Sequence, residues 1–275
     1  MVRLRPPQVA SRPYRQGKMI QLEKIDLSIA GRPILKNINF SVRKGETKVI
    51  LGSSGSGKSS VLKVILGLWR PDSGRVIIDG EDMTGASNEK WNEARYHIGM
   101  IFQDGALFDS LSVGENVGYW LFEHAKMSEE EIEVRVIKAL EDIGLAPELL
   151  DRMPDELSGG MQRRVAIARA LASLSPKIML YDEPTTGLDP LSMETITDLI
   201  IALQKRMQVA SVVVTHDIPD ALKVSNRFAF IAEGEFVFEG NSEELKSSDH
   251  PFVARFLEPF KNTLAHAFAS FGEEE

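Results

Sequence analysis

The chain of 275 residues contains no cysteine. That excludes a disulfide framework and any thiolate metal site, and it fits a reducing compartment. Long apolar runs are missing too. No uncharged stretch approaches the ~18–20 residues needed to span a bilayer. No apolar segment follows the basic N-terminus, as a secretory signal requires. An excess of positive charge is also absent: 32 Lys and Arg face 40 Asp and Glu, for a net charge of −8. This argues against nucleic acid as the main partner, since phosphate neutralisation needs clustered cations. No internal repeat is visible. What is present is an ordinary globular composition, 43% hydrophobic and 26% charged, with length enough for one large domain or two small ones.

The stretch that organises the chain is Gly52-Ser53-Ser54-Gly55-Ser56-Gly57-Lys58-Ser59. It reads G-x-x-x-x-G-K-S, a phosphate-binding P-loop. The apolar run Lys48–Leu51 before it suits a buried strand, and Ser60–Leu66 after it suits the first turns of a helix. Glycines let main-chain N–H groups turn inward around phosphates, and the helix N-terminus adds partial positive charge. Lys58 is expected to bridge the β- and γ-phosphates, and the Ser59 hydroxyl to ligate Mg²⁺. Residues 52–60, Ser60 included, form the expected nucleotide site.

The remaining pattern is α/β. Strands are expected at 20–27, 38–42, 75–80, 98–102, 178–181, 209–215, 227–232 and 235–239, from β-branched alternation and Gly or Pro turns. Residues 112–157 have mostly helical spacing, with Ser128 as N-cap of a helix over 129–143 and Gly144 as its stop. Helices are also expected over 162–172 and 191–207. Ile178-Met179-Leu180-Tyr181 is continuously apolar, as a central parallel strand buried on both faces requires.

Three apolar strands end in polar groups, where doubly wound sheets place ligands. Asp182 can hold Mg²⁺, and Glu183 can orient the attacking water. His216 can donate to a γ-phosphate. Gln103 can contact Mg²⁺ or the water. Leu157-Ser158-Gly159-Gly160-Met161 forms a second Gly-rich helix N-terminus. One P-loop already cradles the phosphates, so a second set of N–H donors suits the outer face of an ATP held by another subunit. Two chains head to tail bury two ATPs in a two-fold interface, with Asp189 nearby.

These residues resemble the ATP-binding-cassette (ABC) ATPases over about residues 19–245. Gly52–Ser59 looks like Walker A, Gln103 like the Q-loop glutamine and Leu157–Met161 like the signature. Ile178–Asp182 looks like Walker B, Glu183 like the catalytic glutamate, Asp189 like the D-loop aspartate and His216 like the switch histidine. The stretch Phe102–Val113, followed by Glu115-Asn116-Val117, and the ending of L-S-G-G-M in Met are similar to the ATPases of Mla/Mce-type lipid transporters. The resemblance implies a P-loop NTPase core of parallel sheet with an antiparallel β region and a helical subdomain at about 105–160. It also implies ATP and Mg²⁺ as cofactors, and a homodimer docked peripherally on a permease dimer at the cytoplasmic face of the membrane. A Mce-type lipid-binding protein is expected beyond the permease. Two other readings share the chemistry: an importer ATPase for a small polar solute, and a non-transport ABC ATPase.

Some stretches stay open. Residues 1–18 carry five cations and no acid, which suits a flexible arm, solvated or touching anionic lipid. Family members usually stack adenine on an aromatic near the end of the first strand. This chain has Leu27-Ser28-Ile29-Ala30 there, leaving Leu27, Ile29 or Tyr14 as candidates. Leu107, Phe108, Tyr119, Trp120, Leu121 and Phe122 form either a permease-docking surface or the core of the helical region. The tail over 246–275 carries Phe252, Phe256, Phe260, Leu264, Phe268 and Phe271 at helical spacing. It packs on its own domain or docks on another subunit, and Pro259 breaks it.

Overall fold

A computed structural model describes residues 17–172 and 176–260. The basic arm before Gly17, Tyr14, Leu264, Phe268 and Phe271 lie outside the described residues.

The chain enters as a long hairpin. Strand β1 (Lys18–Ile29) pairs antiparallel with β2 (Arg32–Arg43). Ala30 (φ 49°) and Gly31 (φ 75°) turn between them, as a tight two-residue hairpin with two positive φ angles requires. The buried residues of β1 are spaced irregularly: Ile20, Leu22, then Ile25, Leu27. An irregularity between Leu22 and Ile25, with Lys24 at φ 51°, restores the inward face. Strand β4 (Ser73–Ile78) joins the other edge of β1, and the short β5 (Glu81–Asp82) completes a four-stranded antiparallel sheet in the order β2-β1-β4-β5.

The second sheet has six strands in the order β10-β9-β3-β8-β7-β6. These are β3 (Thr47–Leu51), β6 (Ile98–Ile101), β7 (Ile178–Asp182), β8 (Ala210–Thr215), β9 (Phe228–Ala232) and β10 (Glu235–Gly240). β6, β7, β8, β3 and β9 run parallel, and β10 returns antiparallel. The central strands are buried on both faces. On β3, Val49 and Leu51 belong to one core layer and Ile50 to the other. The second layer, closed by the hairpin sheet and helix α1 (Lys58–Ile65), contains Val61, Leu62 and Ile65. Helix α2 (Asn88–Arg95) adds Trp91 to that layer.

The first layer is covered by other helices. Helices α3 (Val113–His124) and α4 (Glu129–Glu141) both start in reciprocal capping boxes, Ser112 with Glu115 and Ser128 with Glu131. They pack against α5 (Gly159–Ala172), which begins at Gly159 rather than at the expected 162. Helix α6 (Pro190–Met207) follows β7. Helices α7 (Ile218–Val224) and α8 (Ser242–Lys246) were not expected, although Asp217 with Pro219, and Asn241 with Glu244, carry their start signals.

Two expectations change. Leu121 is fully buried and belongs to the core, whereas Phe108, Tyr119 and Phe122 are exposed and Leu107 and Trp120 half-buried. Leu27 is also core, leaving Ile29, 39% exposed, as the accessible apolar residue at the end of β1. The tail begins as α9 (Pro251–Leu257) and turns at Glu258–Phe260, where Pro259 ends the helix. Val253 and Leu257 are buried, Phe256 and Phe260 lean on the same core, and Phe252 remains 44% exposed.

Candidate functional site

The register of the parallel sheet assembles the site. Leu51 sits opposite Thr215, and Asp182 opposite Val214. The residues that follow β3, β7 and β8 are therefore neighbours: Gly52, Glu183 and His216. Glu183 N–H donates to Val214 O at 2.8 Å, tying the two strand ends together.

The P-loop is shaped by its glycines. At Gly52 a Cβ would meet Ile231 O at 2.4 Å and Ser56 Oγ at 2.8 Å. Gly57 takes φ 108° and precedes α1 with no side-chain cap, so the first turn of that helix is open to an anion. Ser56 Oγ is buried without a hydrogen-bond partner. An orphaned hydroxyl, an uncapped helix and a cradle that a side chain would fill all fit a phosphate chain. Ser53, Ser54 and Gly55 face solvent, and Ser60 is buried in the first turn.

Lys58 is buried. Its Nζ donates to Gly52 O (2.9 Å) and Ser53 O (3.0 Å) and lies 3.5 Å from Glu183 Oε1. Glu183 is the hub. Its Oε2 lies 2.7 Å from His216 Nδ1 and accepts from Thr186 Oγ1 at 3.0 Å. It also adopts φ 48°, a conformation a bulky side chain avoids unless its surroundings impose it. Beside it, Ser59 Oγ donates to Asp182 Oδ1 at 2.8 Å. Burial, reinforced by neighbouring Glu183, pushes the Asp182 carboxyl above its usual range despite that bond. A hydroxyl and a carboxylate meeting at a strand end are hard oxygen donors suited to Mg²⁺. Among the described residues no cluster of three His, Cys, Asp or Glu could hold a metal by itself. An ion here must take most of its ligands from nucleotide oxygens and water.

Gln103 is exposed, two residues past β6, the edge strand beside β7. Arg163 and Arg169 of α5 hold its loop, donating to Phe102 O (2.7 Å) and to Gly105 O and Ala106 O (2.8 and 2.7 Å). Ser158 and Gly159 are exposed at the start of α5, where Ser158 Oγ accepts from Met161 N–H at 3.3 Å. This turn packs beside the segment carrying Asp189: a Cβ on Gly160 would lie 2.6 Å from Ser192 Oγ, and one on Gly159 3.3 Å from Leu188. Asp189 caps α6, accepting from Ser192 N–H at 3.0 Å, and its bonds to Ser192 hold its carboxyl below the usual range.

The ABC transporter family profile matches residues 35–186. That span includes the P-loop, Gln103, the Ser158–Gly160 turn and Asp182-Glu183. The chain is 39% identical over 239 residues to the intermembrane phospholipid transport system ATP-binding protein MlaF of Haemophilus influenzae, covering 87% of this chain and 90% of that protein. The chain belongs to the ABC transporter ATPase family. This ABC ATPase is also 41% identical over 254 residues to protein TRIGALACTOSYLDIACYLGLYCEROL 3, chloroplastic, of Arabidopsis thaliana, covering 86% and 73%. It is 36% identical to a probable ribonucleotide transport ATP-binding protein, mkl, of Mycobacterium tuberculosis, covering 91% and 69%. Among solved structures it is similar to the dimeric post-hydrolysis ATP-binding cassette MJ0796 bound to ADP and Pi. That likeness has a TM-score of 0.74 at 35% identity, covering 81% of this chain and 98% of that one. As a family member, the chain binds and hydrolyses ATP as the ATP-binding subunit of a transporter.

Of the residues that shape this site, Thr186 and Thr215 were not singled out in the sequence, and Asn116 was read only as part of the 115–117 stretch. Thr186 steadies Glu183. Thr215 Oγ1 accepts from Asp217 N–H at 3.0 Å and shapes the turn carrying His216. Asn116 is fully buried and bonds Phe108 through both N–H and C=O, plus Leu111 O and Ser112 O, fixing the loop before α3. Thr185-Thr186, close behind a strand-ending Asp-Glu pair, and a lone Asn in an apolar helix face were the available signals.

Proposed function

We propose that the chain is one half of an ATP-closed homodimer that drives an integral-membrane permease dimer in lipid transport, with phospholipid as the substrate class. The observation that carries the catalytic part is the convergence of Lys58, Glu183 and His216 beside Ser59 and Asp182. The lipid assignment is supported by the MlaF relatives, whose names specify phospholipid transport, together with the Phe102–Val117 stretch.

In this reading residues 52–60 wrap the phosphates, and Lys58 leaves its loop carbonyls to bridge the β- and γ-phosphates. Ser59 and Asp182, with Gln103, would hold Mg²⁺, which when bound neutralises charge developing on the phosphate oxygens. Ser158, Gly159 and Gly160 of the partner chain close the outer face of the γ-phosphate, with Asp189 beside them. Glu183 orients a water for in-line attack: a water O–Pγ bond forms as the bond from Pγ to the bridging oxygen breaks, leaving ADP and Pi. His216 holds the Glu183 carboxylate in place and donates toward the γ-phosphate through its other ring nitrogen. Arg163 and Arg169 link α5 to the Gln103 loop, so closure at Ser158 is felt at exposed Phe108, Tyr119 and Phe122, where the permease would dock. A Mce-type protein beyond the permease would receive or supply the lipid, and the ATPase would sit at the cytoplasmic membrane face without touching cargo.

The test is co-purification and stimulation. Tagged protein recovered from detergent-solubilised membranes should bring a multi-span permease, and its Mg²⁺-dependent ATP hydrolysis should rise with phospholipid. Stimulation by a polar solute instead, as the mkl relative's name suggests for that protein, would replace the lipid reading and leave the ATPase chemistry intact.

A further inference from the structure

A cleft of about 720 Å³ opens beside the P-loop, away from the Ser59–Asp182 pair. Ser53–Ser56 and His216 form one wall. The other is mainly aromatic: Phe230 from β9, and Phe252, Phe256 and Phe260 from α9 and its terminal turn, with the charged Glu233 and Arg255 also lining the cleft. Two of the rings contact aromatic neighbours. Phe256 meets Phe230 edge-on at 5.0 Å, and Phe252 stacks on His250 at 6.0 Å. This cleft is unlike the phosphate cradle: its lining is mainly apolar, and it opens to solvent.

Elsewhere on the chain is an apolar side chain with no place in the core. Leu191 is 74% exposed, more than any other large hydrophobic residue among those described. It stands in the first turn of α6, two residues after Asp189. Its setting is closely packed. Gly160 has no room for a methyl group against Ser192, and Gly159 approaches Leu188. The Ser158–Gly160 turn therefore packs directly on the Leu188–Ser192 segment.

We propose that Leu191 of one chain inserts into the aromatic cleft of the other. This rests on the two-fold dimer above. If Ser158–Gly160 of one chain closes on the P-loop of its partner, Leu188–Ser192 must come with it. The outer face of that P-loop, Ser53–Gly55, is the rim of the cleft. The occupant is a second copy of this chain, because the cleft is continuous with that interface and an exposed leucine travels with the segment that meets it. The pairing makes α9 part of the dimer contact, although α9 binds no nucleotide. It also places a hydrophobic contact next to His216, so that opening the cleft and releasing the switch histidine become linked movements.

The absence of cysteine makes the test clean. Leu191→Cys and Phe252→Cys are made as separate chains, each with Glu183→Gln, then mixed and mildly oxidised. With ATP and Mg²⁺, a disulfide-linked dimer that needs both substitutions is expected; without ATP it should fade. Light scattering on the same samples reports dimerisation itself. A dimer that forms with ATP but gives no cross-link between positions 191 and 252 overturns the Leu191 contact alone. No dimer with ATP overturns the two-fold reading and the contact with it. Leu191→Asp, a surface change, should weaken ATP-dependent dimerisation about tenfold, the scale of one buried leucine. Unchanged dimerisation in that variant also overturns the contact.

Discussion

Glu183 Oε2 and His216 Nδ1 face each other at 2.7 Å across the ends of two neighbouring parallel strands. The other carboxylate oxygen lies 3.5 Å from Lys58 Nζ. One carboxylate thus links Lys58 to His216. Glu183→Gln keeps the shape and removes the charge. Its ATP hydrolysis should fall by about 10²–10³, in the range of losing a positioned acid–base group, while ATP binding persists and dimers accumulate. His216→Ala should cost less alone. The double variant should lose little more than Glu183→Gln, because the two act as a unit. Additive losses in steady-state rates would separate their roles.

The second prediction concerns Gly160. An alanine methyl there would sit 2.6 Å from Ser192 Oγ and 2.9 Å from its Cβ, so the start of α5 must move away from α6. Gly160→Ala should retain nucleotide binding at its own P-loop, since Gly52–Ser59 is elsewhere in the chain. Hydrolysis should drop by roughly tenfold or more, because in the proposed dimer the displaced turn closes on the partner's ATP. Fluorescent-nucleotide titration and a phosphate-release assay on the same sample check both halves. Lost nucleotide binding would mean that the signature turn serves its own chain's site.

The parts of the candidate phosphate site that the structure brings together were legible in the sequence because each is local. Gly52–Ser59 is contiguous, and the strand-ending carboxylates follow an unbroken apolar run. What the sequence left unread depends on distant partners. The grip of Arg163 and Arg169 on carbonyls of residues 102–106 joins segments some sixty residues apart. Leu121 lies between half-buried Trp120 and exposed Phe122 in the sequence and is buried only because α3 packs against α4 and α5. Helix α7 has seven residues, too short to show an apolar period, and only its Asp217 cap and Pro219 mark it.

Asp220 gives a pH prediction. It is buried in α7 with Oδ2 unpartnered. Burial, with help from Asp217, raises its carboxyl above the usual range, against the Thr185 and Thr197 hydroxyls and the nearby charge of Lys223. The folded state therefore binds this proton more tightly than the unfolded chain. Below the ordinary aspartate range, near about pH 4, both states are protonated and the residue costs nothing. As pH rises from there through the folded value, the ionised form comes to oppose folding. Asp220→Asn mimics the protonated carboxyl. Its Tm should exceed that of the parent near neutral pH, and the difference should shrink on acidification toward the ordinary aspartate range. A lower Tm for the variant at neutral pH would show that Lys223, Thr185 and Thr197 more than offset the cost of burying the Asp220 charge.

The adenine side offers a gain-of-function prediction. Family members usually stack the base on an aromatic near the end of the first strand, and this chain presents Ile29 there, with Leu27 committed to the core. An aliphatic surface contacts any purine through apolar area and cannot supply the ring stacking worth ~0.5–1.5 kcal/mol. The parent should therefore turn over ATP and GTP with similar kcat/KM. Ile29→Tyr places a ring at an exposed position, where it neither overfills the core nor disturbs the hairpin turn at Ala30-Gly31. Its KM for ATP should fall about two- to tenfold with kcat unchanged, because the base makes the same contact in ground and transition states. A parent that already prefers ATP strongly would mean that another residue reads the base; Tyr14, upstream of β1, is then the first to replace with alanine.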